Sequence, residues 1–97
     1  GAIQSTSWTL KEEVKLDARG IASLDWEHYP ILKFSEVPAV EVELIDRPEL
    51  PAAGAGEAAQ GPTAAAIANA VAHALGLRVR ELPLTHEKIA AAISQST

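Results

Sequence analysis

Proline placement constrains this chain more than any other feature. Pro30, Pro38, Pro48, Pro51 and Pro62 punctuate its middle, and Pro83 breaks the C-terminal third. Each removes a backbone donor and pushes the residue before it towards an extended conformation. Helices are therefore expected near the ends and after Pro62, with extended or irregular chain between.

The pattern AIQSTSWTLKEEV, from Ala2 to about Glu13, sets Ile3, Leu10 and Val14 near one face and turns Glu12 and Glu13 outward, as in a helix. Two short alternating runs then flank Asp17-Ala18-Arg19-Gly20, where Gly20 can supply a positive φ, so a β-hairpin is expected. The segment holding Pro30 and Pro38 reads as an irregular surface crossing. VEVELI, Val40 to Ile45, alternates apolar and acidic residues at period two and reads as a half-buried strand. Gly61-Pro62 fits a helix entry, Ile67, Val71 and Leu75 recur at helical spacing, and Gly76 is a left-handed stop. LRVREL reads as a short strand or extended run. Thr85 then caps a last helix carrying Ile89 and Ile93, with Glu87 in its first turn and a fraying SQST tail. The fold class expected is α+β, with about three helices and a short, mostly antiparallel sheet.

Ninety-seven residues make one small domain, residues 1–97, with one modest core. Hydrophobic residues make up 47% of the chain but aromatics only 4%, so the apolar content is largely small side chains that bury little area each. A thin core follows, and with it apolar faces around Ile67, Val71 and Ile89 that serve as docking surface as readily as interior. Gly1 in place of a methionine sets the expectation of chain upstream. No apolar run approaches the roughly 18 residues of a membrane span. A net charge of −5 with scattered basic residues argues against nucleic acid. With no cysteine, disulfides, iron–sulfur ligation and cysteine-based zinc sites are excluded within the chain.

The loop before the Pro62 helix raises the functional question. Gly54-Ala55-Gly56-Glu57-Ala58-Ala59 formally satisfies a dinucleotide fingerprint, but prolines separate it from the preceding strand pattern and Gly61-Pro62 interrupts the helix that should follow at once. A nucleotide site is disfavoured. Two readings of Glu57 stay open from the residues alone. In one it is a solvated acid in a turn that needs its glycines for backbone geometry. In the other, glycines let the backbone approach a ligand and the carboxylate serves as a general base beside it. His28, His73 and His86 are too far apart for a local metal motif, so no metal ligand is assigned. Asn69 and His73 share a helix face suited to surface or interface. Trp8, Trp26, Tyr29 and Phe34 read as packing anchors, and the serines of QSTS have no base at a triad-like spacing.

Taken in order, Gln4, LKEE, HYPILKFSEVP, VEVELI, GAGE, AIANAVAHALG and RVRELPLTHEKI resemble the C-terminal end of the molybdenum-binding subunit of molybdenum hydroxylases, the xanthine dehydrogenase and aldehyde oxidase family. The resemblance is nearest to bacterial isoquinoline, nicotinate and aldehyde oxidoreductases and runs over essentially the whole chain. It implies an α+β fragment of the larger molybdenum-binding domain. It implies further that Glu57 is the base activating a water-derived oxygen for attack on an electron-poor carbon. Ala53, Gly54, Ala55 and Gly56 would lie against the molybdopterin, in its cytosine dinucleotide form, with Gln4 close to the cofactor region. Ser5 stands where the family usually has glycine. Implied partners are the rest of the molybdenum-binding subunit, an iron–sulfur subunit or domain, and a small aldehyde or N-heterocycle. Alone, the chain would be inactive and bind no cofactor. The alternative is a non-catalytic docking module of the same fold, and the compartment stays open between cytoplasmic and periplasm-facing.

Overall fold

The computed structural model describes residues 1–96, in which helix α1 (Ala2–Leu10), strands β1 (Leu16–Asp17) and β2 (Gly20–Ile21), a short 3-10 turn (Phe34–Glu36), helix α2 (Gln60–Leu75) and helix α3 (His86–Ser96) follow in order. The fold is small α+β: three helices and a two-stranded antiparallel sheet.

The hairpin is built as its turn residues dictate. Leu16 pairs with Ile21 and Asp17 with Gly20, whose φ of 122° no side chain would tolerate well. The Asp17 carboxylate accepts the Arg19 N–H at 2.7 Å, closing the turn.

Helix α1 packs against α2, but through the face opposite to expectation. Ser5, Ser7 and Thr9 are buried, while Ile3 and Val14 are exposed. The Ser7 and Thr9 hydroxyls tolerate burial because both have partners. Thr9 Oγ1 donates to the Ser5 carbonyl at 2.7 Å, and Thr6 Oγ1 does the same to Ala2 at 2.8 Å. Small side chains at the seam let two backbones approach closely. Thr9 is 0% exposed, so Thr9→Leu has no room to grow. It is expected to cost about 1–3 kcal/mol by overpacking, read as a lower urea midpoint.

Helix α1 also ends at Leu10, a turn earlier than Glu13. The Thr9 carbonyl accepts the Leu84 N–H at 2.7 Å, and Lys11 N–H closes back on Ser7. Glu12 turns inward instead of out: it accepts Ser7 Oγ and, at 2.8 Å, the Tyr29 hydroxyl. Leu32 N–H donates to Ser7 Oγ at 3.0 Å, so the Asp25–Leu32 crossing is laced to the end of α1. The Glu12 bond, and after it burial, push the Tyr29 phenol up.

Val40–Ile45 forms no strand, and neither does LRVREL, whose run bends at Leu77, Glu81 and Leu82. Beyond the hairpin, the described residues offer no sheet edge for either to join, and alternation alone cannot supply one. Trp26 (75% exposed) and Phe34 are not packing anchors. Helix α2 begins at Gln60 and stops at Gly76 in the left-handed region (φ 68°), as its glycine stop requires. Ile67 and Val71 are half-buried, and Leu75 is exposed. Thr85 Oγ1 accepts the Lys88 N–H at 3.3 Å and caps α3, which is helical through Ser96, while Thr97, the end of the SQST tail expected to fray, lies outside the described residues. Ser94 and Ser96 hydroxyls bond back to Ala90 and Ile93 carbonyls, which keeps the last turn closed.

The core is as thin as the composition implies. Leu84 (3% exposed), beside the buried Pro83, is the one fully buried large apolar side chain among the described residues. The Cα radius of gyration is 16.6 Å, against about 12.5 Å for a compact domain of this length. Residues 37–50 are part of that openness, with Val40, Val42, Leu44 and Ile45 open to solvent.

Candidate functional site

The Gly54–Glu57 loop lies where two helices begin. Gly56 to Ala59 form a turn that leads into α2: Ala58 N–H reaches the Ala55 carbonyl at 3.4 Å and Gln60 N–H reaches that of Glu57 at 3.0 Å. The first turn of α2 is tightened by Thr63, whose N–H and hydroxyl both bond the Ala59 carbonyl, at 3.2 and 2.7 Å. Gly1, which precedes α1, sits against the same place. A Cβ on Gly1 would lie 3.4 Å from the Gly56 carbonyl oxygen and 3.8 Å from the Ala59 methyl. The positive ends of α1 and α2 therefore share one neighbourhood, which favours negative charge there.

Gln4 belongs to the first turn of α1, so the packing that seats Gly1 on Gly56 carries Gln4 to the loop's end of the helix. Both Gln4 and Glu57 are exposed, and neither side chain has a hydrogen-bond or ion-pair partner among the described residues. Ala53, Gly54, Ala55 and Gly56 are likewise exposed.

The two glycines discriminate between the readings of the loop. Neither Gly54 nor Gly56 has a positive φ, and a Cβ on either would meet nothing within 4 Å. The turn-geometry explanation for them is therefore wrong. Nothing inside this chain requires glycine at 54 or 56.

Elsewhere the side chains pair structurally. Asn69 Oδ1 accepts Arg78 at 2.8 Å, which holds the run after Gly76 onto α2, while His73 is exposed. Lys88 donates to the Leu82 carbonyl at 3.0 Å and faces Glu81 and Glu13 at 3.2 and 3.5 Å. Lys11 pairs with Glu36, and that bond with the Lys33 amide holds the Glu36 carboxyl below its ordinary range.

One pair escaped sequence reasoning. Asp25 accepts the backbone N–H of Glu27 and of His28, at 3.1 and 2.9 Å, and meets His28 Nδ1 at 2.6 Å. The D-x-x-H spacing in a turn was the available signal. The Asp25 bond raises the His28 pKa above its ordinary 6.5, and the same contact lowers that of Asp25. The pair therefore holds from just above the Asp25 pKa up to the raised His28 pKa and is lost as pH rises through the latter. An NMR titration of the chain is expected to show His28 titrating above 6.5, and Asp25→Asn is expected to return it to about 6.5.

Among the described residues no three His, Cys, Asp or Glu side chains gather where they could hold a metal, and no helix is long and apolar enough to cross a membrane.

No protein-family model matches the chain. Over 91 residues it is 50% identical to a nicotinate dehydrogenase subunit of Pseudomonas putida. The match takes in 94% of this chain and 8% of that protein, so the chain spans a small part of the length of the relative it matches.

Proposed function

We propose that this chain, its 97 residues acting as one unit, supplies the catalytic base and part of one wall of the cofactor site in a molybdenum hydroxylase acting on a small aldehyde or N-heterocycle. The observation that carries this is the Gly54–Glu57 loop: glycines that the chain's own folding does not need, followed by an unpartnered carboxylate beside two helix starts. The 50% identity to a nicotinate dehydrogenase subunit supports an oxidoreductase setting for that loop.

The loop fits a molybdopterin. Ala53 to Gly56 would lie against it with bare backbone, which presents amide groups and no side-chain bulk to a large anionic ligand. Gln4 would add a neutral donor and acceptor from the start of α1. Bound there, molybdenum-molybdopterin in its cytosine dinucleotide form would supply the two-electron acceptor for the hydroxylation, passing electrons to an iron–sulfur subunit or domain. Cysteine-free sequence is no obstacle, because the pterin's own sulfurs hold the metal.

Glu57 then does what a carboxylate can do at such a position. Its Oε atoms accept a proton from the water-derived oxygen as that oxygen attacks the electron-poor carbon; the C–H bond there breaks, its hydrogen and electron pair leaving for the two-electron acceptor that the bound cofactor would supply, and the oxygen stays on carbon. The other walls and the substrate channel belong to the rest of the molybdenum-binding subunit, so the isolated chain turns over nothing.

A docking module without catalysis is the second reading, favoured by the open apolar side chains of residues 37–50. Glu57→Gln in the intact enzyme separates the two. Substrate oxidation collapses if Glu57 is the base and is unchanged if the chain only docks.

A further inference from the structure

The segment Val40–Ile45 combines two observations that do not depend on each other. Its side chains alternate, Val40, Val42 and Leu44 against Glu41 and Glu43, and the apolar set is wide open: Val42 is 78% and Leu44 87% exposed. Its backbone is also unpaired. Among the described residues no N–H or C=O from Val40 to Ile45 makes a hydrogen bond within the chain. An extended run with one apolar face and bare backbone on both edges is what strand addition to a sheet consumes.

We propose that Val40–Ile45 is a docking strand that pairs with an open sheet edge of a larger protein body outside these 97 residues, and not with a second copy of them. The chain itself cannot provide that edge. Its hairpin strands are two residues each, against six in the segment. A second copy is disfavoured by charge. In the antiparallel register that gathers Val40, Val42 and Leu44 on one face, Glu41 of each copy lies directly opposite Glu43 of the other. Both copies also carry a net charge of −5. The fitting partner has apolar residues beneath the valines and leucine and cationic or neutral residues opposite the glutamates. The relative of which this chain matches 8% has ample length to hold such a body.

This inference rests on the first half of the proposed function, a larger body around the chain, and not on Glu57. Hydrogen exchange tests it, on the isolated chain and on the chain within its native polypeptide or complex. In the isolated chain, amides 41–45 are expected to exchange at the rate of an open peptide. In the native assembly, at least every second one is expected to slow on the order of a hundredfold or more. Val42→Pro and Glu43→Pro remove donors pointing to opposite edges, and at least one is expected to abolish the protection at its neighbours. Helical circular dichroism of the isolated variants should not change, because the segment makes no bond to the helices. Free exchange in the assembly overturns the proposal. So does protection already present in the isolated chain, as two paired copies would give, and so does protection that survives both prolines. Activity of Glu57→Gln has no bearing on any of these, so either idea can fail alone.

Discussion

Glu57→Gln in the intact enzyme is expected to slow substrate oxidation by about 10² to 10⁴, the range a positioned general base contributes. Glutamine keeps the volume and the helix-end location and removes only the ability to take a proton. The comparison is made in a single turnover at equal molybdenum and pterin content, so that product release and loading are out of the measurement. Structural damage is a poor alternative explanation, because the Glu57 side chain is exposed and holds nothing within the chain. A rate unchanged within a factor of about two would remove the base from the mechanism, since a positioned general base typically contributes about 10² or more when the chemical step is observed.

Gly56→Val is expected to have the second largest effect, on loading and not on folding. The isolated chain has room for the side chain, with no atom within 4 Å of a Cβ at that position. Circular dichroism of the isolated variant should therefore match the parent. In the assembled enzyme a branched side chain would stand between the loop backbone and the cofactor, and molybdenum and pterin content are expected to fall by about tenfold or more, since a misfit of about 1.4 kcal/mol is already tenfold in occupancy. Full loading would mean that the glycine makes no close approach, and the assignment of Ala53–Gly56 as cofactor-contacting would fail with it.

The sequence disclosed local grammar well and packing partners poorly. Gly20, Gly76 and Thr85 announced the hairpin, the end of α2 and the start of α3, because each answers a backbone requirement that involves only its neighbours. Helix α1 showed the opposite. Its apolar residues suggested one face, while Ser5 and Thr9 are the buried pair on the other, the Thr9 hydroxyl bonding back to the Ser5 carbonyl. Periodicity counts hydrophobicity and cannot see small polar side chains that bury themselves. Val40–Ile45 differs for another reason: alternation records a strand's two environments, not whether its neighbour lies in the same chain. The candidate site was legible as residues, GAGE above all, but not as a place. That α1 begins at the loop, bringing Gln4 to its side, needed the packing of α1 on α2. The missing reason for the glycines could be read only from their φ angles and the empty space around them.

Helix α1 is fastened at both ends to things far apart in sequence. Its start rests on Gly56 and the Thr9 carbonyl near its end holds Leu84, just before α3. Nine helical residues make a rod about 13 Å long. Such a rod joins the Pro83 turn mechanically to the glycine loop, although more than twenty residues of chain separate the two. Substitutions at the turn thereby gain a physical route to the loop that its place in the sequence does not suggest.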